Sequence, residues 1–127
     1  MMNAVLWMDQ KEARIFELDE HKAERSVVNA HGPHAHRHAK ALDLRVRSHP
    51  DDQHRFFHDV ARALEGCGQV LLVGPAQTKL HFLRYVQDHD RPTAAKVVGI
   101  ESADHPTDGQ LVAHLRSYFD EPPPGAP

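Results

Sequence analysis

Histidines are the most concentrated chemical groups in this chain of 127 residues: His31, His34, His36 and His38 lie within eight positions. In an extended segment the last three would project to one face, and in a helix His34 and His38 would lie one turn apart. Imidazole is a suitable ligand for Zn²⁺, Cu²⁺ or Ni²⁺. Asp43 is the only carboxylate nearby. The pattern therefore indicates either a metal site, with zinc or nickel as the cofactor, or a solvated segment that binds metals weakly.

The same segment, residues 31–49, could instead contact RNA. Its cations outnumber Asp43 and could neutralise phosphates; they are Arg37, Lys40, Arg45 and Arg47. No aromatic residue alternates with them to stack on bases, which argues against sequence-specific reading of a single strand. The formal net charge of −3 also argues against wrapping by nucleic acid, so DNA is not expected as a partner.

Carboxylates suggest a third possibility, a divalent-metal ribonuclease. Asp9 ends the first predicted strand, and Glu101 and Asp104 follow the last. Nucleases that use two metal ions need acids at the centre of the first strand and at neighbouring strand ends. Asp9 falls in a turn and no acid lies within residues 4–8. This function is therefore the weakest of the three.

Two further patterns have simpler interpretations. His54 and His58 lie one turn apart beside an apolar stripe, where they could extend a metal surface but are expected to be exposed polar residues. Gly74 and Pro75 precede a segment containing Lys79, as in a phosphate-binding turn, but proline removes an N–H donor that such a turn uses. We interpret this second pattern as the start of a helix.

Composition predicts a single domain. Hydrophobic residues make up 40% of the chain and charged residues 26%, which is typical of soluble globular proteins. The single cysteine, Cys67, excludes an internal disulfide and a zinc site built from cysteines. No apolar run approaches the ~20 residues that span a bilayer, and the N-terminal residues lack a signal-peptide pattern. A cytoplasmic location without membrane partners is expected.

Hydrophobic periodicity predicts five strands and three helices. The predicted strands cover residues 4–8, 12–18, 25–30, 70–73 and 96–100. Three helices occupy the intervals after Ser48, after Pro75 and after Thr107, in the order β-β-β-α-β-α-β-α. Three antiparallel strands followed by two strands joined through a helix predict an α/β fold. We expect a three-layer, ribonuclease H-like arrangement of a five-stranded mixed sheet flanked by helices.

Each predicted helix has a stripe of apolar residues. We expect the first to be buried through Phe56, Phe57, Val60, Ala61 and Leu64, the second through Leu80, Leu83 and Val86, and the third through Leu111, Val112, Leu115 and Phe119. Arg91 and Pro92 are expected to stop the second helix. Thr107 and Gln110 have the spacing of a capping box at the start of the third.

Two blocks resemble small bacterial proteins usually called translational machinery proteins: Val-Leu-Leu-Val-Gly-Pro-Ala-Gln-Thr-Lys (70–79) and Val-Val-Gly-Ile-Glu-Ser-Ala-Asp-His-Pro-Thr-Asp-Gly-Gln-Leu (97–111). Those proteins are similar to the middle domain of archaeal and eukaryotic peptide release factors and of pelota. The resemblance implies that residues 1–119 form one such domain, with a histidine-rich loop at 31–49. Residues 120–127, which are rich in proline, are expected to be a disordered tail.

The resemblance also limits the function. In release factors the loop between the third strand and the first helix carries Gly-Gly-Gln, which helps to hydrolyse peptidyl-tRNA. Here the corresponding segment 31–49 lacks that motif, and the similar run at 66–69, Gly-Cys-Gly-Gln, lies elsewhere in the topology. The expected function is a non-enzymatic module that contacts ribosomal RNA or a translation factor. A metal-binding protein and a ribonuclease are the alternatives.

Overall fold

A five-stranded mixed sheet forms the centre of the protein. The computed structural model describes residues 2–18, 23–30 and 50–120. The strands are β1 (Met2–Met8), β2 (Glu12–Leu18), β3 (Ala23–Asn29), β4 (Cys67–Gly74) and β5 (Val97–Ser102). Their order across the sheet is β3-β2-β1-β4-β5. The first three pair antiparallel, whereas β4 pairs parallel with both β1 and β5. The predicted meander and mixed sheet are therefore confirmed.

The central strands are apolar because both faces of the sheet are covered. Successive side chains of a strand point to opposite faces. In β1, Leu6 and Met8 face one hydrophobic cluster and Val5 and Trp7 face the other, and all four are fully buried. A strand buried on both faces has a nearly continuous apolar sequence, which is why the run in β1 could be recognised from the sequence.

Four helices in the described part of the chain cover these two faces. They are α1 (Pro50–Ala63), α2 (Thr78–His89), α3 (Arg91–Lys96) and α4 (Asp108–Asp120). The apolar stripe predicted for α1 is buried as expected and shares one cluster with α2 and α3. On the opposite face Leu111 and Leu115 of α4 are buried, with Val112 and Phe119 packed beside them. Helices on both sides make three layers.

Hydrogen bonds confirm the capping box at the start of α4. The Thr107 N–H donates to Gln110 Oε1 at 2.9 Å, and the Gln110 N–H donates to Thr107 Oγ1 at 3.1 Å. The two residues satisfy each other's backbone donors, which the first turn of a helix leaves free. The helix therefore begins where the local sequence predicts.

The second helix ends at His89, before Arg91 and Pro92 as predicted, but a separate helix that was not predicted, α3, begins at Arg91. The Asp90 carboxylate accepts hydrogen bonds from the Thr93 N–H at 3.3 Å and the Thr93 hydroxyl at 2.8 Å. Pro92 lies in the first turn of α3, where a missing N–H costs nothing. The order is therefore β-β-β-α-β-α-α-β-α.

The buried face of α2 was also predicted wrongly at one position. Leu80 is 45% exposed, whereas Phe82 and Val86 are fully buried and Leu83 is partly buried against the same cluster. The buried stripe of α2 therefore includes Phe82 and Val86 but not Leu80. None of the helices in the described residues has the length and apolar character that a bilayer crossing requires.

Candidate functional site

All eight side chains predicted to bind metal or RNA lie outside the described residues. They are His31, His34, His36, His38, Arg37, Lys40, Arg45 and Arg47. The predicted helix cap at Ser48 and residues 121–127 of the predicted tail also lie outside them. The metal-site and RNA-site assignments therefore remain predictions.

The residues that flank segment 31–49 are described. The Ala30 N–H donates to the Lys11 carbonyl at 2.8 Å, directly after β3. Val28 and Ala30 pack against the cluster that contains the buried stripe of α1. Both ends of the segment therefore join the side of the sheet that carries α1, at its β3 edge.

A groove lies between α1 and α2. Its volume is about 170 Å³, and it is lined by Gln53, His54, Phe57, His81, Arg84, Tyr85, Asp88 and His89. We call this feature the α1–α2 groove. Residues 81, 85, 88 and 89 follow one another at helical spacing, so α2 presents them on one face. His54 comes from the second turn of α1.

Three rings in the α1–α2 groove contact one another. The centroid of Tyr85 lies 4.9 Å from that of His89 and 5.4 Å from that of His54, and the two imidazoles are 6.1 Å apart. Every pair is tilted by 45–58° rather than stacked. Phe57, 1% exposed, lies 5.7 Å from Tyr85 and meets Phe82 edge to face. The rings therefore rest on the hydrophobic core.

The prediction that His54 and His58 are exposed is confirmed. Of the two, His54 lines the groove and His58 does not. Sequence reasoning missed the contribution of α2. The spacing of His81, Tyr85 and His89 is a signal that could have revealed one polar aromatic face, but its contact with α1 depends on tertiary packing.

The acids considered for a nuclease have other partners. Asp9 Oδ1 accepts hydrogen bonds from the N–H groups of Lys11 at 2.8 Å and Glu12 at 2.9 Å, which closes the β1–β2 turn. Glu101 Oε1 lies 2.6 Å from His114 Nε2. Within residues 2–18, 23–30 and 50–120, no group of three or more His, Cys, Asp or Glu side chains is arranged to hold a metal ion.

His105 links two of the acids near the carboxyl end of β1. Its Nε2 lies 3.4 Å from Asp9 Oδ2 and its Nδ1 lies 3.0 Å from Asp104 Oδ1. The ring also contacts Trp7 at 5.0 Å between centroids. Trp7 in turn donates its indole N–H to the Asp104 carbonyl at 3.0 Å. These contacts hold the connection between β5 and α4 against β1, which is a structural role.

Arg14 links β2 to the connection between β5 and α4. Its guanidinium carbon lies 4.4 Å from the centroid of the Trp7 ring. Arg14 Nη1 donates to Asp108 at 2.7 Å and Nη2 donates to the Pro106 carbonyl at 3.1 Å. Arg25 on β3 contacts the other oxygen of Asp108 at 3.1 Å. This network was not predicted, because its members are far apart in sequence.

The turn between β4 and α2 begins a helix, as predicted, and does not offer its lysine to a phosphate. Lys79 is only 4% exposed, and its ammonium donates to the Ala76 carbonyl at 2.6 Å. Ala76 has a φ of 51°, a left-handed conformation that is uncommon for a residue other than glycine. A side chain at Gly74 would meet the carbonyl oxygen of Met8.

Cys67 is buried at the start of β4. Burial raises the pKa of its thiol to about 11, and the negative charge of Glu17 adds to this rise, whereas Lys96 opposes it. Thiolate is the nucleophilic form of cysteine. Cys67 is therefore a core residue and not a nucleophile.

Several solved structures share this fold. Pelota from Thermoplasma acidophilum matches 94% of this chain with a TM-score of 0.63 and 19% identity. Pelota from Archaeoglobus fulgidus matches 93% with a TM-score of 0.64 and 14% identity. The archaeal translation termination factor aRF1 matches 95% with a TM-score of 0.59 and 11% identity. No protein-family model and no curated protein matches the chain.

This chain spans about a third of the length of each of those proteins: 33%, 31% and 35%. At such identities the likeness shows a common fold. The α/β architecture, with a five-stranded mixed sheet and helices on both faces, is consistent with the middle domain of Pelota and of aRF1.

Proposed function

We propose that this protein is a cytoplasmic, non-enzymatic module of translation that contacts ribosomal RNA or a translation factor through segment 31–49. The observation that carries the proposal is the fold that this chain shares with two Pelota proteins and a translation termination factor. The match covers 93–95% of the chain. The ribonuclease H-like classification and the division into a domain at 1–119 and a tail at 120–127 belong to the same proposal.

The position of segment 31–49 supports this function. The segment connects β3 to α1, the connection that carries the Gly-Gly-Gln motif in release factors, whose middle domain the predicted topology resembles. Here the connection has five histidines and four cations in place of that motif. A segment of this composition can bind phosphates without the group that assists hydrolysis. Binding without peptide release is therefore the proposed role.

Eight side chains are assigned to the contact. Arg37, Lys40, Arg45 and Arg47 would pair with backbone phosphates, and His31, His34, His36 and His38 would add donors to the same surface. Contacts of this type weaken as salt rises because bound counterions are released on association. Salt dependence is therefore a property by which the proposal can be tested.

Sedimentation of the tagged protein through a sucrose gradient tests the proposal. Cell lysate would be run at low and high salt with the natural chain and with residues 31–47 replaced by glycine and serine, which removes all eight assigned side chains. A control variant carries His58→Ala and Arg116→Ala, which remove an exposed histidine of α1 and an exposed arginine of α4, both outside the segment. We expect comigration with ribosomes or a subunit that salt weakens and that only the segment replacement abolishes.

Two results would contradict the proposal. The natural protein could stay at the top of the gradient at both salt concentrations, which would exclude stable ribosome binding. Alternatively, comigration could persist after the segment is replaced, which would locate the contact elsewhere.

Metal binding by the same segment is a second candidate function, favoured by the alternation of His34, His36 and His38. It predicts a dissociation constant for Zn²⁺ or Ni²⁺ tighter than about 1 µM, a binding free energy of roughly 8 kcal/mol. Titration calorimetry on the natural chain and on the glycine–serine replacement measures this constant. A millimolar dissociation constant for the metal, or equal metal binding by the natural chain and the replacement, would exclude this function.

A further inference from the structure

We propose that the α1–α2 groove binds one unstacked base of single-stranded RNA, with Arg84 contacting the adjacent phosphate. The inference rests on the proposed function for its ligand class, RNA. It assigns a second contact on described residues that are separate from segment 31–49.

The rings of the groove provide the surface on which a base would stack. His54 and His89 are exposed, and Tyr85 is partly exposed between them. Because the three rings are tilted by 45–58°, none covers the face of another as a parallel stack would. Aromatic and imidazole faces accept any base, since every base has a π face.

The size of the groove limits what it can hold. Its volume is about 170 Å³, below the roughly 300–1,000 Å³ of pockets that enclose drug-sized ligands. A single planar heterocycle is the appropriate size. The groove is open, so the sugar and phosphate of a bound nucleotide can remain outside it and continue into the next nucleotide of a strand.

Arg84 supplies a cation that its surroundings do not neutralise. It is exposed and makes no hydrogen bond or ion pair with the described part of the chain. Asp88 lies one turn further along α2 and also lines the groove. An arginine that precedes an aspartate by four residues has the less favourable orientation for a helical ion pair. The guanidinium is therefore available to a phosphate, which it can bind through two parallel hydrogen bonds.

The support beneath the rings makes the surface rigid. Phe57 and Phe82 are almost fully buried and meet edge to face at 5.6 Å. Tyr85 packs on Phe57 at 5.7 Å. A ring that is already held in place loses little freedom when a ligand binds, which favours affinity. By contrast, Arg14 and His105 on the other face of the sheet are engaged with Asp108, Asp104 and Asp9.

Fluorescence anisotropy with a fluorescein-labelled single-stranded oligouridylate tests the inference on the purified full chain. Two variants remove the site: one carries His54→Ala with His89→Ala, and the other carries Arg84→Ala. The matched controls are His58→Ala, an exposed histidine of α1 outside the groove, and Arg116→Ala, an exposed arginine of α4 on the opposite face. All five proteins are compared by thermal unfolding, so that loss of fold is not mistaken for loss of binding.

We expect the natural chain to bind with a dissociation constant tighter than about 100 µM. Loss of a stacking surface should weaken binding by about 5- to 150-fold in the double histidine variant. Arg84→Ala should also weaken binding, and both controls should stay within about twofold of the natural chain. Free uridine monophosphate should compete poorly because it lacks the neighbouring nucleotides.

Separate experiments test RNA binding by the groove and ribosome binding by segment 31–49, so either proposal can fail without the other. Absence of oligouridylate binding, or equal weakening in the groove variants and the controls, would overturn the groove assignment. Competition by the free nucleotide at the concentration of the oligonucleotide would overturn RNA as the ligand. Neither result concerns the sedimentation of the protein with ribosomes through segment 31–49, which the glycine–serine replacement tests by itself.

Discussion

Replacing Gly74 by alanine should destabilise the protein through the backbone of its central strand pair. Gly74 is the last residue of β4, and an added Cβ would overlap the carbonyl oxygen of Met8 on β1. That oxygen belongs to a fully buried strand residue, so no side-chain rotation can relieve the overlap. One of the two paired strands must move.

The size of the effect follows from this geometry. Overpacking of a well-packed site costs about 1–3 kcal/mol, out of a total stability that is about 5–15 kcal/mol for most domains. For a chain of this length each kcal/mol lowers the melting temperature by about 3–5 °C. We therefore expect Gly74→Ala to lower it by about 3–15 °C and to move the urea midpoint in the same direction.

Urea unfolding followed by tryptophan fluorescence measures this change directly. Trp7 is the only tryptophan and is fully buried, so its emission reports on the core. Gly66→Ala is the matched control, because its Cβ would meet nothing within 4 Å. It should leave stability unchanged or raise it by up to about 1 kcal/mol. If both variants unfold at the urea concentration of the natural protein, the steric reasoning is wrong.

Three further perturbations have defined outcomes. Arg14→Met should cost about 2 kcal/mol in urea unfolding, because it removes the ring contact with Trp7 and the charged hydrogen bond to α4; an unchanged midpoint would contradict this. Thr107→Ala should cost about 0.5–2 kcal/mol, whereas Thr107→Ser should retain most of the stability, and equal losses would show that the hydroxyl is not responsible. The pKa of Cys67 is raised from 9.0 to about 11, so above pH 9 the unfolded chain loses the thiol proton first and stability should fall as pH rises towards 11. Stability of the Cys67→Ala variant should not show this part of the decline. If the variant and the natural protein lose stability equally between pH 9 and 11, the Cys67 thiol is not its cause.

The elements that could be predicted are those determined by local chemistry. The run in β1 is apolar because that strand is buried on both faces, and the apolar stripe of α1 has the helical period. The capping box at Thr107 specifies its own helix start through two short hydrogen bonds. In each case the signal lies within a few residues, so neighbours in sequence are sufficient to reveal it.

The break between α2 and α3 shows where local chemistry is ambiguous. Pro92 is compatible with the end of one helix and equally with the first turn of another. Asp90 decides between these outcomes by capping α3 through Thr93. Leu80 was assigned to the core because its spacing fits a helical stripe, yet packing against the sheet selects Phe82 instead.

The sequence by itself therefore determined the fold class, most of the core and the position of segment 31–49 between β3 and α1. Tertiary structure alone brought His54 to Tyr85 and His89, and Arg14 to a residue 94 positions away. Periodicity reveals which face of an element is apolar, because burial acts on each element separately. Which polar side chains meet depends on how neighbouring elements are placed on the sheet, and that information is shared among residues distant in sequence.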